Sequence, residues 1–197
     1  THLGKLIRSL HFVTKNDIVM TMDYYEPPSE MQDKDFKGDL SAAYAFGTQV
    51  VEVEVEQDTG IVRVEKVTSV HDVGRVINRQ GIEGQVEGGV VMGMGYALTE
   101  NLIVEEGMVK NPGFRDYKLV TAPEIPEIDM HFIETNDPEG PYGAKGVGEA
   151  PAICMAPAIT NAIYNATGVR IYELPLTPEK VYRALHGNKA RQREQAG

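Results

Sequence analysis

Val51-Glu52-Val53-Glu54-Val55-Glu56-Gln57-Asp58-Thr59-Gly60-Ile61 is the stretch on which the fold turns. Valine alternates with glutamate at period two, which puts apolar side chains on one face of a strand and carboxylates on the other. Asp58-Thr59-Gly60 supplies turn residues, and Ile61 to Val70 returns as a second β-branched run. The segment predicts a β-hairpin with one wet face. Its valine face must be buried against another element. The pattern that follows is helical and rich in glycine, so the expected fold class is α+β: mixed sheets with β-hairpins packed against a Gly-rich helix and a C-terminal helix.

Downstream of the hairpin, Asn78 is placed to cap a helix over roughly Arg79 to Thr99. Glycines at 81, 84, 88, 89, 93 and 95 each cost such a helix about 1 kcal/mol relative to alanine. Close approach of another backbone or a ligand would compensate, because only glycine permits it. A second β pair is expected at Leu102–Val104 and Met108–Val109, and a half-buried strand at Ile128–Thr135. Asp137-Pro138-Glu139-Gly140-Pro141-Tyr142-Gly143 must be a loop. It continues through Gly146 and Gly148 into a helix expected over Pro151 to Thr167, with Gly168 at its C-terminal cap. Thr177-Pro178-Glu179 opens a last helix. Upstream, Glu26-Pro27-Pro28-Ser29 reads as extended and Asp33 to Asp39 as polar and exposed. One domain over residues 1–187, with room for two sub-lobes, is expected to precede a disordered tail at 188–197.

The 197 residues suffice for one substantial core. With 19 Lys and Arg against 29 Asp and Glu, the net charge of −10 argues against a nucleic-acid partner, which needs clustered cations. The local basic clusters, Lys5/Arg8 and Lys189/Arg191/Arg193, read as solvated ends. No run of eighteen apolar residues spans a membrane, and no signal-peptide pattern opens the chain. The opening Thr1 suggests a processed product or an excised fragment. Cys154, the one cysteine, can form no internal disulfide, which fits a reducing cytoplasm. Nor can a single thiol hold an iron–sulfur cluster, so redox centres would have to come from elsewhere.

Chemistry concentrates in Gly143-Ala144-Lys145-Gly146-Val147-Gly148-Glu149-Ala150-Pro151. The glycines open the main chain to a ligand. Glu149, with little other charge nearby, reads either as a helix cap or as a positioned acid/base. Lys145 by itself reads as a surface lysine. A phosphate-loop reading is weakened by the lack of the Gly-Lys-Ser/Thr ending. Glu83 and Glu87 share a helical face without metal-ligand company and read as solvated, so no metal ligands are assigned. Gln85 is offset toward the small-residue face, where its amide can donate to and accept from a heteroatom-rich ligand. His71-Asp72 reads as a structural pair, since no Ser or Cys nucleophile lies nearby. Cys154, inside an apolar run, reads as a packed thiol.

Three ordered segments resemble the C-terminal part of the molybdopterin-binding subunit of the molybdenum hydroxylases, the xanthine dehydrogenase and aldehyde oxidase type. They are Glu52–Val55 through His71-Asp72-Val73-Gly74-Arg75-Val76-Ile77-Asn78; Gly84-Gln85-Val86-Glu87-Gly88-Gly89 through Gly93-Met94-Gly95; and Gly140-Pro141-Tyr142 through Glu149-Ala150-Pro151, closed by Leu176-Thr177-Pro178-Glu179. The resemblance implies a molybdenum–molybdopterin cofactor contacted by Gln85, Lys145, Gly146 and Val147. It implies that Glu149 is the general base that takes the proton from the hydroxide on molybdenum, whose oxygen then attacks an electron-poor carbon of a purine, aldehyde or N-heteroaromatic. Iron–sulfur clusters and FAD are expected in other domains or subunits. The expected partners are the N-terminal part of the molybdenum subunit, iron–sulfur and flavin subunits, and a small-molecule substrate. Open sheet edges imply self-association. Most of the cofactor site would lie upstream of Thr1, so the chain alone is expected to be inactive. The rival readings are a non-enzymatic α+β assembly module in which Glu149 only caps a helix, and a phosphate-binding enzyme.

Overall fold

Alternation sets the first hairpin as it must. In the computed structural model, which describes Met22, Tyr24, Glu26 and residues 28–195, with side chains up to 187, β1 (Gly47–Val55) pairs antiparallel with β2 (Val62–Asp72). Val51, Val53 and Val55 turn inward and the glutamates between them outward. The register slips once: Glu52 faces Lys66 but Val53 faces Val64, leaving Glu65 unpaired. This bulge moves the buried side of β2 from Val64 to Val67, Ser69 and His71. β5 (Glu127–Ile133) adds to the other edge of β2 in parallel, giving a mixed sheet of order β1-β2-β5.

Helix α1 (Arg79–Leu98) starts at Asn78, whose Oδ1 accepts from the Gly81 N–H at 3.0 Å. A short hairpin, β3 (Val104–Glu105) and β4 (Met108–Val109), turns through Glu106 and Gly107, both with positive φ. The single helix expected over Pro151–Thr167 is instead two: α2 (Ala150–Ile153) and α3 (Met155–Thr167). Pro157 is the reason, since it offers no N–H and its ring crowds the carbonyl of Ile153 one turn back. Gly168, at φ 73, ends α3 as expected. Helix α4 (Pro178–Gln195) continues in backbone over residues read from the sequence as a tail.

The core lies between sheet and helices: Val67 from β2, Val86, Val90 and Met94 from α1, Met155, Ile159 and Ile163 from α3, and Leu176 and Val181. Each buried aliphatic side chain of this size contributes about 1.5–3 kcal/mol. Two of the α1 glycines are explained by contact. A Cβ on Gly89 would stand 2.7 Å from the Pro151 Cβ, and one on Gly93 2.5 Å from the Met155 Cβ. So α1 and the α2–α3 corner meet almost backbone to backbone.

The chain divides into two compact units, residues 1–42 and 43–197, and every element above belongs to the second. In the first, Glu30 N–H donates to the Asp39 carbonyl at 2.6 Å around an exposed turn in which Asp33 Oδ1 accepts from the Asp35 and Lys37 N–H groups. Lys5 and Arg8, and the side chains of Lys189, Arg191 and Arg193, lie outside the described residues, as does Pro27. Among the described residues no helix is long and apolar enough to cross a membrane.

Candidate functional site

β2 ends in His71-Asp72, and the two side chains serve different networks. Asp72 Oδ2 accepts from Lys145 Nζ at 2.7 Å; Oδ1 accepts from the Gly74 N–H at 2.9 Å and from Thr135 Oγ1 at 2.8 Å. Both members of the ion pair are buried, with side chains 10% and 8% exposed. Lys145 Nζ also donates to the Tyr44 carbonyl at 2.9 Å and lies 3.9 Å from Asp137. Burial alone would raise the Asp72 carboxyl. The hydrogen bonds from Lys145, Gly74 and Thr135, with the Lys145 charge, outweigh it and hold the group below its ordinary range. The main chain follows the same path: Lys145 N–H donates to the Val73 carbonyl at 2.9 Å. Gly74, at φ +67, carries no Cβ where one would collide with the Gly143 carbonyl, so the loop closes onto the strand end.

His71 belongs to the second network. Its Nε2 lies 2.8 Å from Ser69 Oγ, which accepts from Gln49 Nε2 at 3.0 Å. The same Gln49 nitrogen donates to the Pro151 carbonyl at 2.8 Å. Ser69 Oγ thus accepts from Gln49 and shares a second hydrogen bond with His71 Nε2. Burial pushes the His71 pKa down, favouring the neutral ring.

Between Lys145 and Pro151 lies the open part of the loop. Gly146, Gly148 and Glu149 are exposed, and a Cβ on either glycine would meet nothing within 4 Å. Val147 packs against the core. The main-chain N–H groups of residues 146–149 find no acceptor among the described residues. Glu149 occupies the residue before α2, but its side chain caps nothing and its backbone is helical rather than extended. No partner holds its carboxylate among the described residues. Gln85 is also exposed, on α1 one turn before Gly89, about 6 Å along the axis from the point where α1 packs on Pro151. Gly84 and Gly88 beside it are open. This donor set suits a heteroatom-rich cofactor: an amide on a bare helix face, and a glycine loop with free N–H groups.

The other candidates resolve simply. Glu83 accepts from Arg79 at 2.8 Å on the helix surface. No group of three His, Cys, Asp or Glu side chains suited to a metal occurs among the described residues. Cys154 is a half-buried free thiol. Gln49 and Ser69 belong to no motif in the sequence. Both sit in the inward register of their strands, where an apolar residue belongs, and that was the available signal.

A family model described as a molybdopterin cofactor-binding domain matches residues 2–126. The chain is 43% identical over 144 residues to a putative xanthine dehydrogenase molybdenum-binding subunit of Escherichia coli, covering 72% of this chain and 19% of that one. It is 40% identical over 145 residues to an aldehyde oxidoreductase of Megalodesulfovibrio gigas, covering 72% and 15%. Among solved structures, the aldehyde oxidoreductase from Desulfovibrio desulfuricans superposes with a TM-score of 0.75 at 38% identity, covering 80% of this chain and 17% of that one. A copper- and molybdenum-containing carbon monoxide dehydrogenase superposes at 0.71, with 28% identity, over 85% and 20%. The chain thus spans about a fifth or less of the length of these relatives.

Proposed function

Because the chain belongs to the molybdopterin cofactor-binding domain family of the xanthine dehydrogenase and aldehyde oxidoreductase type, we propose that it forms part of the active site of a molybdenum hydroxylase, with Glu149 as general base. The observation that carries this reading is the state of Glu149: exposed, unpartnered among the described residues, and not capping the helix it precedes. A cap would spend its carboxylate on the first turn. The absence of a cap hydrogen bond among the described residues supports the base over the cap.

The cofactor, when bound, supplies the two-electron acceptor. The chain's residues do the rest. Gln85 offers its amide to the pterin, and the open N–H groups of Gly146 and Val147 offer further donors. The Lys145 ammonium is occupied by Asp72 and the Tyr44 carbonyl. That leaves Lys145 its main-chain carbonyl and one ammonium hydrogen for a cofactor contact. Glu149 would accept the proton of a water-derived oxygen nucleophile activated at the cofactor's metal, beside an electron-poor carbon. The substrate class is a purine, an aldehyde or an N-heteroaromatic.

The remaining molybdenum-site residues, and iron–sulfur and flavin centres, are contributed by the N-terminal part of the subunit and by partner domains or subunits, in a reducing cytoplasm. The 197-residue chain alone holds no stoichiometric molybdenum and turns nothing over. In the complete enzyme, Glu149→Gln abolishes turnover while molybdenum content stays at the wild-type level. Wild-type turnover in that variant would return Glu149 to a structural role.

A further inference from the structure

Among the described residues no side-chain hydrogen bond or ion pair fixes Glu149, yet the main chain on each side is tied to the sheet. Upstream, Lys145 is tied through Nζ to Asp72 and through its N–H to Val73. Downstream, the Pro151 carbonyl receives the Gln49 amide, which leans on Ser69 and, through it, on His71. Both ties converge on the end of β2, where His71 and Asp72 are consecutive and so point to opposite faces. Five residues, 146–150, remain between the two ties.

We infer that Gln49 is a positioning residue for Glu149, the second of two anchors that set where the carboxylate stands. This rests on the reading of Glu149 as the base. Among the described residues, Gln49 Nε2 makes the one hydrogen bond between β1 and the residues just after Glu149. Its orientation is constrained, because a flipped amide would set Oε1 against the Pro151 carbonyl oxygen, two acceptors face to face. Its Oε1 is buried without a partner among the described residues, a state that costs stability. An inward valine there would continue the register of Val51, Val53 and Val55 without that cost. The amide is thus placed for what its nitrogen holds. The Gln49 nitrogen donates to both Ser69 Oγ and the Pro151 carbonyl, and these two acceptors keep it aimed.

The test uses the complete molybdenum enzyme carrying Gln49→Glu, Ser69→Ala or Glu149→Gln. A glutamate at 49 keeps the shape but cannot donate to the Pro151 carbonyl. Loss of an anchor that lets the base drift by about 1 Å lowers kcat by up to roughly 100-fold. We expect Gln49→Glu to lower kcat by 10- to 100-fold on that scale, with KM and molybdenum content unchanged. Hydrogen exchange should speed up at the Ala152 amide, which donates to the Glu149 carbonyl, and not in β2 or α1. Ser69→Ala should show the same pattern, more weakly. Wild-type kcat at full molybdenum content would overturn the inference, and so would kcat, KM and metal content failing together, since that marks a general structural role. If Glu149→Gln keeps full turnover, the base reading fails, while the exchange data still decide whether Gln49 anchors the loop.

Discussion

Lys145 shows how a residue's role can be invisible in its own neighbourhood. In the sequence it stands among glycines and reads as a surface cation; in the fold its ammonium is buried against Asp72, 73 positions away. Sequence spacing carries no trace of such a pairing, because loop closure, not periodicity, creates it. Removing one partner of a buried pair leaves an uncompensated charge and costs about 3–5 kcal/mol. Lys145→Met should lower the stability of the chain on that scale in urea unfolding, and adding Asp72→Asn should restore part of it. No recovery in the double variant would show that the two residues act separately. The same end of β2 sets a pH dependence. His71 is held below its ordinary value of 6.5, so below that pH the unfolded chain takes up a proton that the folded one refuses. Stability should fall with acid from about pH 6.5. Asp72 is also depressed, so its contribution is present above 3.8 and is lost as pH falls through its folded value. Urea midpoints measured from pH 8 to 4 check the first step, and a flat profile across that range would contradict it.

At the scale of elements, β1 and β2 were legible because alternation is a local property, and so was α1, from Asn78 and the glycine pattern. The break at Cys154 also has a local cause, Pro157 three residues on. The two halves of the α1 glycine pattern could not be separated from sequence. Gly89 and Gly93 face α2 and α3, whereas Gly84 and Gly88 face open space. Opposite effects should follow from one substitution. Gly93→Ala forces Met155 or the Ala152 carbonyl aside and should destabilise the chain by about 1–3 kcal/mol. Gly84→Ala should stabilise the chain by up to about 1 kcal/mol, as helix propensity dictates. Thermal unfolding of both variants checks the pair. Equal shifts of the same sign would mean that the packing at the α1 corner differs from that described.

As a whole molecule, the second unit leaves large apolar side chains in water, among them Met92 and Tyr96 on α1, Ile153 on α2 and Tyr172. A protein that spans about a fifth of its relatives' length is expected to show such faces where the rest of the subunit would pack. Sedimentation of the isolated chain should therefore show concentration-dependent self-association, and a clean monomer at high concentration would oppose that. The family was legible at this scale because three modest motifs in fixed order are jointly specific. The frame around Glu149 was not, since it depends on contacts between residues about a hundred positions apart. Glu149 itself is the most exposed claim. Anaerobic single-turnover reduction of the complete enzyme by its substrate tests it most directly, comparing wild type with Glu149→Gln at equal molybdenum content. A general base contributes about 10²–10⁴-fold, so reduction of the variant should be slower by at least two orders of magnitude. Equal rates would contradict the assignment.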